Sequence, residues 1–401
     1  MSALPFTAPS NRDEHWRYAN LRTLARLGAS AAAAPSKKQI EAVASILPPA
    51  LPNTARLVLL DGHVVASLSS ALPAGVRIEA RSLDDCGNGM APSHPAAAQT
   101  RSADRYFAEL NARAGGQTLV IALPESARLR IELLSITATE AHPHLRIELA
   151  PYAALTLIER QLPLESAAVT STNLLWQAAL GKAAVLEAAR IGHHGSKAHF
   201  VETLDLEVGE SAKASIVQLT DGAASSRSTA FVSHVGAEAA LQWHGAAIGE
   251  AAQTHDAFVH VTHAARNART TQVFRGIATG RARVAFNGHM RVDAEGAGTD
   301  SAQSLKGLIA GTEAEVDVRP QLEIYTDEVK ASHGATVGKL DADMLFYLLS
   351  RGIPPAAAES LLKWAFVSDV LARLPCASLR AQVEASLERQ LPGAAAARLL
   401  A

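Results

Sequence analysis

The sequence predicts a mainly β protein whose body lies between two helical ends. Three observations carry that expectation. Over residues 117–329 apolar residues recur at every second position, as in Leu129-x-Ile131-x-Leu133, Leu145-x-Ile147-x-Leu149, Leu204-x-Leu206-x-Val208, Val284-x-Phe286, Val316-x-Val318 and Leu322-x-Ile324, which is the period of a strand. Breaks at Gly209, Asp221-Gly222, Gly236 and Gly280 separate many of these segments. Before about residue 55 and after Leu340 the apolar spacing changes to three and four, the period of a helix.

Taken in order, residues 1–55 read as helical. Asn11 caps a helix that carries Trp16, Leu21, Leu24 and Leu27 and ends at Gly28. A second short helix starts at Pro35, runs through Ile46 and stops at Pro48-Pro49. Two short strands then flank Asp61-Gly62, a dipeptide suited to a tight hairpin. Residues 84–98, rich in Gly, Pro and Ala, read as a linker, and residues 101–113 as a helix closed by Gly115 and Gly116. In the β body, residues 174–186 fit helix and strand equally. Many short strands make a sandwich, a barrel or a β-helix, and the lack of a fixed-length repeat weighs against a solenoid.

The strand at Leu322 and Ile324 leads into a polar break of small residues, Ser332, His333, Gly334 and Ala335. A helix capped by Asp341 follows, with Met344, Leu345, Leu348 and Leu349 as its apolar stripe and Gly352 and Pro354 as its stop. Pro355 opens a second tail helix with Leu361, Leu362, Ala365, Phe366 and Val370. A third carries Leu379, Val383, Leu387 and Leu391. The expected organisation is an α-rich region with short strands over 1–116, a β core over 117–332 and a helical domain over 333–401. His333 lies at the hinge.

Composition bounds the function. The 401 residues are 48% hydrophobic and 4% aromatic, enough for a large core. A formal net charge of −2 gives no electrostatic case for nucleic acid or an anionic membrane. No apolar run approaches the roughly 20 residues that cross a bilayer. The first residues lack a basic segment followed by an apolar one, so a cytoplasmic location is the default expectation. Two cysteines, Cys86 and Cys376, cannot by themselves make a disulfide framework or a four-thiolate site, and each reads as an incidental thiol.

Catalytic motifs are missing. The stretch GHHGSK (192–197) has the wrong order and spacing for a phosphate-binding loop, and no H-E-x-x-H, C-x-x-C or G-x-S-x-G occurs. Fifteen histidines are present, among them His193, His194, His199, His234, His244, His255, His260 and His263 in the β body. Imidazole is a common ligand for iron and zinc, but ligation needs several side chains to converge, so structural or surface roles are the default. His260 and His263, close to Arg266 and Asn267, are read as lining one face.

Three runs, TTQVFRGIATGRARVAFNGHMRV (270–292), GTDSAQSLKGLIAGTEAEVDVRPQLEIYTDEVK (298–330) and EVKASHGATVGKLDADMLFYLLSRGI (328–353), resemble, in that order, the C-terminal part of the SufB/SufD family of iron–sulfur cluster assembly scaffolds. The poverty in cysteine is closer to the SufD branch. The resemblance selects among the β architectures: it implies a right-handed parallel β-helix core flanked by N-terminal and C-terminal helical domains. It also implies a non-catalytic scaffold that pairs with a SufB-like subunit and docks a SufC-like ABC ATPase on its tail helices, the ATP hydrolysis being supplied by that partner. ATPase dimerisation would then open or twist the scaffold interface. Phe346, Tyr347, Arg351, Trp364 and Phe366 are the candidate docking residues. His333, in S-H-G-A-T, is the candidate nitrogen ligand to iron or a nascent Fe–S cluster at the SufB interface. The chain alone holds no tightly bound cofactor on this reading, and no flavin-binding signature is evident. Relatives usually carry cysteine two residues before this histidine; here it is Ala331, which offers no thiolate. Two other readings stand beside this one. A β-helix enzyme acting on polysaccharide would need paired acids, and Asp205, Glu207 and Asp221 show no pairing in sequence. A stand-alone metal-binding homodimer would use the histidine-rich faces.

Overall fold

A computed structural model describes residues 7–24, 27–28, 32–81, 102–164, 168–388 and 391. Cys86 and the 84–98 linker lie outside the described residues.

The N-terminal part holds α1 (Leu21–Leu24), α2 (Lys37–Ala44), the hairpin β1 (Ala55–Leu60) and β2 (His63–Val64), β3 (Val76–Arg81) and α3 (Tyr106–Ala114). The body follows as β4 (Gly116–Leu123), β5 (Arg128–Ile136), β6 (Glu140–Ala141), β7 (His144–Leu149), β8 (Ala154–Leu162), β9 (Thr170–Leu180), β10 (Val185–His193), β11 (Ala198–Val208) and β12 (Lys213–Asp221). It continues with β13 (Ser225–His234), β14 (Ala240–Gly249), β15 (Thr254–His263), β16 (Arg269–Thr279), β17 (Arg283–Val292), β18 (Thr299–Ala310), β19 (Glu315–Ile324) and β20 (Val329–Gly338). The tail is α4 (Ala342–Ser350), α5 (Pro355–Leu371) and α6 (Ala377–Leu387).

From β4 onward the strands alternate between two parallel sheets. One runs β5-β8-β10-β12-β14-β16-β18-β20, the other β4-β7-β9-β11-β13-β15-β17-β19. Each pair of consecutive strands is one coil, and about eight coils stack into a parallel β-solenoid. The residues inferred as ambiguous at 174–186 belong to β9 and β10. Coil length varies: Arg128 pairs with Ala154, 26 residues on, whereas Arg283 pairs with Glu315, 32 residues on. That variation hides the repeat from a search for a fixed period.

The coils turn at stacked corners. Ser126, Tyr152, Ala183, Ser211, Glu238 and Asn267 all have φ between 52° and 63°. The left-handed region costs a non-glycine residue about 1 kcal/mol. Here each corner N–H donates to a corner carbonyl of the next coil, as in Tyr152 to Lys182 (2.8 Å), Ala183 to Glu210 (2.8 Å) and Ser211 to Ala237 (2.8 Å). The ladder offsets the strain one coil at a time.

Alternation fills the lumen with Leu204, Leu206, Ile216, Val232, Val259, Phe274 and their neighbours. Three charged groups share that interior face. Arg190 Nε donates to Glu159 Oε2 at 2.9 Å and Nη2 to Glu202 Oε2 at 2.7 Å. Glu202 Oε1 also accepts from Gln218 Nε2 and Ser228 Oγ. Outside, α5 and α6 lay Trp364, Val367, Val370, Val383 and Leu387 over Ile191, Leu219, Ile248 and Ile277 of one sheet. The N-terminal segment and α3 cover the other sheet, with the Arg227 guanidinium 4.2 Å from the Trp16 ring centre.

Two expectations need correction. The N-terminal region is less helical than its spacing implies. The described part of the first expected helix is a 3-10 turn at Glu14–Trp16 and the single turn α1, and Asn11 caps no helix start: its side-chain amide donates to the carbonyls of Trp16, Arg17 and Ala19. Anchoring of Trp16, whose Nε1 donates to Asp104, outweighs local propensity there. Ser36 rather than Pro35 caps α2, in a capping box with Gln39. At the other end, the polar stretch 332–335 is no break. It is the middle of β20, paired in register with β18, and the helices begin only at Ala342. Pairing across the coil overrides the weak strand propensity of Ser-His-Gly-Ala. The Asp61-Gly62 hairpin forms as expected, with φ of 50° and 82°.

Arg190→Met should cost about 3–5 kcal/mol of unfolding free energy, because it strands Glu159 and Glu202 in the lumen without a counter-charge. Urea denaturation checks this; a loss below about 1 kcal/mol would show that the carboxylates find other partners.

Candidate assembly interface

Among the described residues the last coil has a neighbour on only one side. β19 and β20 are the edge strands of their sheets, so one row of backbone N–H and C=O groups on each has no described strand beyond it. Residues 332–338 of β20 are all exposed, and Leu322 of β19 is only half-buried, while Ile324 and Tyr325 stand in solvent. At the opposite end the hairpin β1-β2, α2 and the antiparallel β3 cover the first coils.

α4 extends this uncovered region. Its start is fixed by Asp341, whose side chain accepts from the N–H groups of Asp343 and Met344. None of its residues is buried. Met344 is 59% exposed and Phe346 72%, with Tyr347 and Leu349 exposed beside them. Arg351 lies 5.1 Å from the Tyr347 ring centre and donates to its hydroxyl at 3.1 Å. An apolar helix left bare beside two bare strand edges is the mark of a surface that another chain covers.

The five candidate docking residues do not share one surface. Phe346 and Tyr347 are exposed on α4, and Arg351, at the C-cap of that helix, packs on Tyr347. Trp364 is 7% exposed and packs into the α5–sheet core, and Phe366 is half-buried against it. The spacing of α5 gave Trp364 and Phe366 the same standing as Phe346; only packing separates them.

His333 sits in β20 and is exposed. Its partner in β18 is Gln303, and the partner of Gln303 in β16 is Gln272. Paired residues of parallel strands face the same way, so His333 shares the lumenal side with those glutamines. Ala331, two residues back, lies on the same side. Alanine offers no metal-ligating atom at that position.

The other histidines scatter. Period-two alternation puts His260 and His263 on opposite faces, which corrects the reading that they line one face. His260 faces outward, its Nδ1 3.1 Å from Nδ1 of His289. His263 faces the lumen, where it and His234 both bond Thr270 Oγ1, at 2.8 and 2.9 Å. His193 pairs with Asp221 and His255 with Ser226 Oγ. Among the described residues no group of three or more His, Cys, Asp or Glu could hold a metal ion, and Cys376 is the one free thiol. Asp205 is held by Arg105, and Asp221 lies on the other sheet with His193, so Asp205 and Asp221 do not form a pair. Sequence reasoning missed Gln272 and Gln303. The steps from Gln272 to Gln303 and from Gln303 to His333, 31 and 30 residues, are one coil each, a signal visible only once coil length is known.

Comparison with known proteins gives the context. Residues 134–366, more than half of the chain, match the SufBD core domain of the SUF system for FeS cluster assembly. The iron–sulfur cluster assembly protein SufD of Escherichia coli is 29% identical, over 96% of this chain and 90% of its own length. An iron–sulfur cluster assembly SufBD family protein of Synechocystis is 24% identical over 94% of this chain and 86% of its own length. The SufD of Bacillus subtilis is 29% identical over 36% of this chain and 33% of its own length.

Buried imidazoles make stability fall in acid. Burial pushes His255 and His263 down from the usual 6.5 to about 4. Both stay neutral in the fold, while the unfolded chain takes up their protons near 6.5. Their contribution is complete above about pH 6.5 and is lost as pH falls toward 4, on the order of 1 kcal/mol per pH unit for each. Urea midpoints between pH 7 and 4 should therefore drop, and His255→Gln should flatten that slope. Identical slopes in the two proteins would remove the assignment.

Proposed function

Because the chain belongs to the SufBD core family of the SUF iron–sulfur cluster assembly system, we propose that it is a non-catalytic scaffold subunit whose bare solenoid end pairs with a SufB-like subunit. The carrying observation is that end: two edge strands and the exposed stretch 332–338. Pairing there would satisfy the backbone edges and bury Ile324, Tyr325 and Val337 in one step, leaving α4 for a different partner. Strand pairing is also specific in register, which suits a surface that must bring ligands from two chains together.

Iron or a nascent cluster is the cargo of this surface. His333 offers one nitrogen. With Ala331 beside it and no cysteine among the described residues of the last coil, the thiolates would come from the partner. The SufC-like ATPase would dock on the tail, with Phe346 and Tyr347 as apolar anchors and Arg351 stacked against them. Trp364 and Phe366 would act through packing, by holding α5 on its sheet. The phosphate-binding loop that this chain lacks would be supplied by that ATPase. The same end could pair with a second copy of the chain in isolation, which the test below separates.

The experiment is anaerobic co-expression with the SufB-like and SufC-like proteins of the same organism, then size exclusion with mass determination. A complex of all three is expected. Phe346→Asp should release the ATPase while leaving the isolated chain within about 0.5 kcal/mol of its normal stability. Trp364→Ala should instead cost the isolated chain about 3–5 kcal/mol. His333→Ala should keep the complex and lower its iron content several-fold. Full iron content in His333→Ala would leave the scaffold and remove the ligand role. A chain that forms only homodimers, or stays alone, would sink the pairing.

A further inference from the structure

One column of the lumen ends on polar residues. Trp243, Gln272, Gln303 and His333 occupy one column in consecutive coils. Gln272 is fully buried and Gln303 is 4% exposed. Gln303 Nε2 donates to Gln272 Oε1 at 2.8 Å. The opposite wall makes room for the pair: a Cβ at Gly288 would stand 2.5 Å from Gln272 Oε1 and 2.8 Å from Gln303 Nε2. With Gln303 Nε2 donating to Gln272, two amide atoms are left buried without partners, Gln272 Nε2 on the inner side and Gln303 Oε1 on the outer. The next residue of the column is His333, and among the described residues no coil lies beyond it.

We propose that Gln303 is a positioning residue for His333: its Oε1 accepts one imidazole N–H and so directs the lone pair of the other ring nitrogen out of the open end. Adjacent strands are about 4.8 Å apart, a gap that a glutamine amide and an imidazole bridge from neighbouring layers. Gln303 Oε1 is already closed off from solvent in the free chain, and a buried carbonyl oxygen left unmet is costly. The imidazole of the next layer carries the N–H that would meet it, and a second subunit seated on the end would hold the exposed ring there. The hydrogen bond then fixes the tautomer, which is how residues behind a metal-binding histidine usually prepare it. This inference rests on the pairing and ligand roles proposed for His333 above.

The test uses the full chain co-purified with its SufB-like partner, labelled with ¹⁵N-histidine, stripped of metal and held anaerobically at pH 8. Two-bond ¹H–¹⁵N correlations read the tautomer, and the His333 signals are assigned by their loss in His333→Ala. A single tautomer is expected in the wild type and an averaged mixture in Gln303→Leu. Gln303→Glu should restore the single form, since a carboxylate also accepts. Iron retained on reloading should fall several-fold in Gln303→Leu. An averaged mixture in the wild type overturns the proposal, and so decides it even if the leucine variant does not fold. A single tautomer unchanged in Gln303→Leu overturns it equally. A single tautomer that depends on Gln303, with full iron content in His333→Ala, keeps the positioning and removes the ligand role. If no complex forms, both fall.

Discussion

Every coil of this solenoid is completed by the next one. Its strands find their hydrogen bonds in the coils above and below, its corner N–H groups donate to the next corner, and its lumenal side chains are covered by the layer that follows. That dependence has one arithmetic consequence. A finite stack must end, and each end carries the unmet bonds of a whole layer. At the first coils the chain meets them itself with β1, β2, β3 and α2. At the last coil none of the described residues does so. β19, β20 and α4 are left bare, and the functional reading grows from that difference.

The same stacking explains where polar groups are tolerated. Inside the lumen water is excluded, so charged and amide groups survive only in complementary sets. Glu159, Arg190 and Glu202 form one such set, closed by Gln218 and Ser228. The Gln272–Gln303 pair is bonded only to itself, with Gln272 Nε2 and Gln303 Oε1 both left without partners, and the Gln303 end lies next to the rim of the stack. A closed polar set in the middle serves the fold. An open one at the rim is available for assembly. The outer faces follow the same logic with other partners: the tail helices and the N-terminal segment are blankets laid over sheets whose outward apolar residues would otherwise face water.

Some of this was legible in the residues. Strict alternation at Leu204, Leu206 and Val208 or at Val316 and Val318 gave strands and their buried side. Asp61-Gly62 gave a hairpin through two left-handed residues. Asp341 gave the start of α4. The runs around His333 gave the family. Other features were hidden. The corners sit on Ala183, Ser211 and Glu238, residues with no turn signal, because the neighbouring coil rather than the side chain stabilises the left-handed backbone. The S-H-G-A-T stretch looked like a break, since its local propensity is weak and its strand is made by β18. His260 and His263 looked like neighbours on one face, although a spacing of three in a strand sends them to opposite sides.

The sequence by itself determined the periods, the caps, the helical tail and the kind of chemistry on offer: histidines without a cysteine cluster, and no loop for a nucleotide. These are local properties, set by a residue and the few beside it. Only the tertiary structure decided that Phe346 is bare while Trp364 is buried, that Gln272, Gln303 and His333 stand in one column, and that the stack is capped at one end and open at the other. Those facts depend on which residues 26 to 32 positions apart come to lie on one another. With coils of unequal length, no spacing rule along the chain supplies that register; the hydrogen bonds between coils do.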